Sequence, residues 1–134
     1  ESYLMGDDFH FNIDIAPDVD ASSVRIPSMF IQIMTENSIK HALRNKEGIK
    51  LLSITVRHEH NNTVIRVTDN GPGFNPVTLR RKTGMNIISQ TIAVINLHNK
   101  DKIRFDIHNI YSSDGKQIKG CEAMLKVPDG VKIE

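Results

Sequence analysis

Tryptophan is absent, aromatic residues make up 5% of the chain, and one cysteine, Cys121, stands in 134 residues. A single thiol excludes an internal disulfide and any CxxC metal or redox pair, and it fits a reducing compartment. Charge of one sign is also missing. Lys+Arg 17 against Asp+Glu 16 leaves a formal net charge of +1, a field too weak to gather duplex nucleic acid or anionic lipid, so no nucleic-acid partner is expected and any polyanion must be held locally. The apolar run from Met29 to Met34 is broken by Gln32 and falls well short of the ~20 residues that span a bilayer. No direct membrane contact is expected of this piece. No P-loop of the GxxxxGK[ST] type and no Ser-His-Asp or Cys-His arrangement is present. Glu1 carries neither an initiator Met nor a signal-like segment, which reads as a fragment of a longer polypeptide. The length suits a single core.

What is present is strong periodicity. Phe9, Phe11, Ile13 and Ile15 alternate with polar residues, which predicts a strand with one buried face, stopped by Ala16-Pro17-Asp18. Asp18 to Arg25 reads as a loop. Pro27 then opens a helix running to about Asn45 and ended by Gly48, in which Phe30, Ile33, Met34, Asn37 and His41 share one face. Leu51 to His58 and Thr63 to Thr68 read as a hairpin around His60-Asn61-Asn62. Gly71 to Thr83 has no periodicity and reads as an irregular loop. A second helix begins near Gly84 with the stripe Met85, Ile88, Ile92 and Ile95, and Asn99-Lys100-Asp101 closes it. Ile103, Phe105 and Ile107 alternate as a strand, Ser112 to Lys119 turns, and Cys121 to Val127 is a last strand ended by Pro128. The order predicts an α+β two-layer sandwich, helices on one face of a mixed, mostly antiparallel sheet.

Two blocks interrupt this pattern with chemistry. Asn37 falls where the first helix should be apolar, and its amide oxygen is a hard ligand suited to a Mg²⁺ ion that already carries phosphate oxygens. Lys40 and His41, one turn on, supply a mobile cation and a neutral donor for phosphate. A core asparagine capping nearby backbone, and an exposed Glu36–Lys40 pair, are the plain alternatives. Asp69 ends a strand, where a carboxylate can accept the exocyclic amino group of adenine, while Gly71 and Gly73 would let backbone approach a purine without a Cβ. Guanine would set an acceptor against that carboxylate, a loss on the order of 1.5 to 3 kcal/mol, or roughly ten- to hundredfold. Asp69-Asn70-Gly71-Pro72-Gly73 is equally the composition of an ordinary turn. Thr83 and Gly84 open the second helix, a natural phosphate seat, with Arg80, Arg81 and Lys82 before it as either a basic lid or a solvated face. His58 and His60 alternate without a third ligand nearby and read as surface histidines.

Ile26-Pro27-Ser28-Met29-Phe30-Ile31-Gln32 leading into Glu36-Asn37-Ser38-Ile39-Lys40-His41-Ala42 resembles the N-box of the GHKL ATPases, in its sensor histidine kinase form. Val67 to Phe74 resembles the G1 box, Thr83-Gly84-Met85-Asn86-Ile87 a shortened G2 box, and Gly120-Cys121 the closing Gly-Thr strand. The resemblance covers about Phe9 to Pro128. It implies a Bergerat fold that binds Mg²⁺ and ATP and passes the γ-phosphoryl group to a histidine on a separate dimerisation domain. By position, Glu36 would be the catalytic acid/base and Asn37 the Mg²⁺ ligand. Lys40, His41, Asp69, Gly71, Gly73, Arg80, Thr83, Gly84, Met85 and Cys121 would line the ATP site, with residues 75–82 as a short lid.

The same resemblance implies that residues 1–8 are the remnant of an upstream dimerisation helix or linker and that 9–134 form the ATP-binding domain. It further implies a full-length homodimer, a response regulator as indirect partner, and a cytoplasmic position beneath an inner-membrane sensor. Three departures stand out: one clear glycine in the G2 box, Cys121 in place of threonine, and the apolar Ile33 where gyrase-type relatives carry a hydrolytic glutamate. None of the six histidines has a dimerisation-helix context. A non-catalytic nucleotide-sensing or docking module and an anti-sigma-type serine kinase are the competing expectations.

Overall fold

The computed structural model describes residues 9–16, 25–43, 48–73 and 83–131, without the side chains of residues 25–27, 41–43 and 83–85. The expected elements are present in the expected order. Strand β1 spans Phe9–Ile15, helix α1 Arg25–Asn37, β2 Lys50–Glu59, β3 Asn62–Asp69, α2 Thr83–Leu97, β4 Arg104–Tyr111 and β5 Ile118–Pro128. The five strands form one sheet in the order β1-β2-β3-β5-β4. Only β1–β2 is parallel, and the other three pairings are antiparallel. Helix α1 begins two residues before Pro27, which therefore sits in its first turn, where a missing N–H costs nothing.

The two helices close over one face. Phe30 and Met34 of α1, with Ile88 and Ile95 of α2, pack on Leu52, Ile54, Ile65, Val67, Ala123 and Leu125 of the three central strands. Phe30 meets Phe105 edge to face at 5.6 Å, the arrangement ring quadrupoles prefer. The hairpin β2–β3 turns on His60 and Asn61 at φ 50° and 64°, the left-handed pair that a two-residue turn matched to strand twist requires. Asn96 joins the end of α2 to β4, its side chain accepting the Ile103 N–H at 2.8 Å and donating to the Ile103 carbonyl at 3.1 Å.

Strand β1 departs from its expected burial. Its apolar residues do share the helix-bearing side, in register with Leu52, Ile54 and Val56 of β2. Only Phe9 is buried, however, and Phe11, Ile13 and Ile15 are exposed by about half. Alternation fixes which face a side chain takes, and whether that face is covered depends on the neighbouring layer. Strands β4 and β5 each run beyond their expected ends, since a hairpin extends pairing past the apolar stretch that signals it. No helix among the described residues is long and apolar enough to cross a membrane.

Leu125, fully buried on the strand between β3 and β4, tests this core. Leu125→Ala is expected to lower unfolding free energy by about 2 to 5 kcal/mol in urea titration; a loss below about 1 kcal/mol would contradict the packing described.

Candidate functional site

Phe30 and Met34 lie four residues apart on the buried face of α1, and the next step of four lands on Ser38. There the α-helix gives way to a π-helical stretch, Ser38–Leu43, a widened turn that often accompanies function. Ser38 is buried, and its hydroxyl donates to Asp69 Oδ2 at 2.8 Å. Helix and strand end, 31 residues apart in sequence, thus meet directly through side chains. The polar point of the stripe that touches Asp69 is therefore Ser38, which sequence reasoning passed over for Asn37. Its signal was the four-residue step from Phe30 and Met34.

Asp69 is 6% exposed. Its Oδ1 accepts the Gly71 N–H at 2.9 Å, so the turn reading also holds: the carboxylate caps its own turn. Each oxygen keeps a further lone pair for a ligand donor. Burial pushes the carboxyl above its usual 3.8, and the Gly71 and Ser38 donors oppose that rise. Behind it, β5 approaches so closely that a Cβ on Gly120 would lie 2.1 Å from the Asp69 carbonyl oxygen. Only glycine fits there, a requirement invisible without the register Asp69↔Cys121.

The neighbouring Cys121 is buried, and its thiol is pushed up to about 12 by burial and by the charges of Asp69 and Glu122. A thiol so raised stays protonated at neutral pH. Asn70 fixes the strand end from the other side, its Oδ1 accepting the Leu51 N–H at 2.8 Å and its Nδ2 donating to the Ile49 carbonyl at 2.9 Å.

Asn37 is half-buried, and its Nδ2 is buried without a hydrogen-bond partner among the described residues. A buried donor left open is what an anionic or carbonyl-bearing ligand would satisfy. Glu36 and Lys40 are exposed, and the neighbour Glu36 meets along the helix is Gln32, at 3.5 Å. Gly71 is buried, and Gly73 adopts φ +85°. Thr83, Gly84 and Met85 form the first turn of α2. The side chain of His41, Arg80 and the rest of residues 75–82 lie outside the described residues.

Of the two expected surface histidines, His58 takes a carboxylate partner, its Nε2 lying 2.9 Å from Asp129, while His60 sits in the hairpin turn. No group of three metal-ligating side chains occurs among the described residues. A surface cavity of about 540 Å³, lined by Lys100, Arg104, Lys126 and Asp129 among others, lies at the opposite end of β3 from Asp69 and shares none of this chemistry.

Because the native pKa of Asp69 is raised, the folded state binds the proton more tightly than the unfolded chain does. Between the usual 3.8 and the native value, stability therefore falls as pH rises and recovers as pH falls. In urea titrations from pH 7 to pH 4, wild type is expected to gain stability relative to Asp69→Asn. A difference that stays flat or runs the other way would contradict the burial.

No protein-family model matches the chain. In sequence it is 29% identical over 105 residues to the sensor histidine kinase YpdA of Escherichia coli, covering 78% of this chain and 18% of that protein. It is 32% identical over 94 residues to the sensor protein LytS of Staphylococcus epidermidis, covering 67% of this chain and 16% of that one. The chain thus spans less than a fifth of either relative. Its fold matches the histidine kinase domain of the blue-light activated kinase of Erythrobacter litoralis at TM-score 0.67 and 10% identity, over 94% of this chain and 57% of that one. It also matches the catalytic domain of histidine kinase ThkA at TM-score 0.62 and 16% identity, over 91% and 79% of the two chains. The chain belongs to the sensor histidine kinase family, and its fold is that of histidine kinase catalytic domains.

Proposed function

We propose that the chain binds ATP with Mg²⁺ and transfers the γ-phosphoryl group to a histidine on a separate dimerisation domain. The reading is carried by one observation, the buried Asp69 carboxylate held by Ser38 and Gly71 at the end of β3. A carboxylate so placed accepts the adenine amino group and rejects the carbonyl of guanine. The open Nδ2 of Asn37, the residue before Ser38, supports a ligand there, and its amide oxygen is the group suited to Mg²⁺. When bound, that ion neutralises phosphate charge. Lys40, His41, Arg80 and the α2 turn at Thr83, Gly84 and Met85 would hold the phosphates by charge and by free N–H groups.

Glu36 is exposed on α1, where an incoming imidazole could reach it. In the transfer, the ring nitrogen forms the N–P bond as the bond from phosphorus to the β-phosphate oxygen breaks. ADP leaves, and Glu36 takes the proton released by the ring. With Ile33 rather than a carboxylate one turn before Asn37, transfer to water is not favoured. In the parent protein the chain would act within a homodimer, pass phosphate onward to a response regulator, and sit on the cytoplasmic side of a membrane sensor. The fragment alone would bind nucleotide yet transfer little, for want of the acceptor.

In calorimetric titration, Asp69→Asn is expected to weaken ATP binding roughly ten- to hundredfold, with the ATP-over-GTP preference largely lost. Equal affinity in wild type and variant would overturn the adenine assignment. With an acceptor-bearing parent protein, Glu36→Gln is expected to slow phosphohistidine formation by about 10²-fold or more while ATP affinity stays within about twofold. An unchanged rate would remove Glu36 from the proton transfer.

A further inference from the structure

Strand β4 carries a second break in an apolar pattern. Ile103, Phe105 and Ile107 alternate, and the next position in that alternation is Asn109. The register explains where it points. Asp69 of β3, Cys121 of β5 and Asn109 of β4 are direct partners in a row across three strands. Residues paired in this way share a face. Asp69 and Cys121 are buried on the helix-bearing face, so Asn109 projects from that same face, two strand spacings or about 10 Å from Asp69.

Gly73 comes down onto it. A Cβ at Gly73 would lie 2.6 Å from Asn109 Oδ1 and 2.7 Å from Ile118 Cγ2, and the φ of +85° suits only glycine. The turn after β3 is thus held at both ends: Gly71 donates to Asp69, and Gly73 rests on Asn109 and Ile118 of the β4–β5 hairpin. A glycine turn without such a support has wide conformational freedom, and a loosened turn would let both the Gly71 N–H and the purine-facing backbone drift.

We propose that Asn109 is a positioning residue for the nucleotide, acting through Gly73 to fix the height of the Gly71-Pro72-Gly73 turn against the purine. The role at the purine rests on the ATP reading above; the support of the turn does not. A side chain that merely filled the sheet would affect all ligands alike. A prop for the purine-facing turn affects base recognition.

Two measurements on the same chain separate these cases. Amide hydrogen exchange at Gly71, without nucleotide, is expected to speed up about three- to tenfold in Asn109→Ala while the core amides of β3 and β5 stay unchanged. By competition titration, Asn109→Ala is expected to bind ATP about three- to tenfold more weakly, with GTP affinity moving less than twofold, so that discrimination narrows. Unchanged exchange at Gly71 would overturn the support of the turn. Faster exchange with an equal loss for both nucleotides, or with no loss for ATP, would overturn the role in base recognition. If wild type binds no ATP, the nucleotide reading and the role at the purine fall together, and the exchange result alone decides whether Asn109 holds the turn.

Discussion

A carboxylate buried at the end of a central strand must have its lone pairs matched, or the fold loses more than the packing around it supplies. Asp69 meets this demand with Ser38 from the helix layer and Gly71 from its own turn. Much of the local architecture follows. The helix α1 must present a hydroxyl at the fourth residue after Met34, β5 must offer a glycine where the Asp69 carbonyl passes, and the turn must supply an N–H. Burial also disfavours the charged form, so the site holds a group that a ligand donor can stabilise further. Such a poised carboxylate is a common mark of binding sites.

The same contact ties the layers together at the place where they begin to part. Phe30 and Met34 seal the helix to the sheet by apolar packing; one turn later the seal is a hydrogen bond, and at Asn37 a buried donor has no partner among the described residues. The π-helical stretch from Ser38 onward falls at this transition.

Much of this was legible in the sequence. Period-two alternation located the strands, three- and four-residue spacing located the helices, and their order gave the two-layer arrangement with a mixed sheet. His60-Asn61 signalled the hairpin because few residues tolerate left-handed backbone. The polar breaks at Asn37 and Asp69 were visible because each stood against a strong local pattern. Other features depend on three-dimensional neighbours. Ser38 sits on the four-residue step from Phe30 and Met34 but was hidden behind Asn37, because a serine in a helix signals little until its partner, Asp69, 31 residues on, is known. Gly120 matters through a close approach of β5 to Asp69, and Asn70 through backbone groups of residues 49 and 51. The exposure of Phe11, Ile13 and Ile15 reflects what lies above an edge strand, a matter on which alternation is silent.

The most direct test is a double-mutant cycle on unfolding with Ser38→Ala, Asp69→Ala and the double variant, at pH 7 in urea. A charge-assisted buried hydrogen bond predicts a coupling of about 1.5 to 3 kcal/mol, the double variant being less destabilised than the sum of the singles. Additive losses, within about 0.5 kcal/mol, would mean that the helix hydroxyl and the strand-end carboxylate do not meet, and the site built on their contact would not stand.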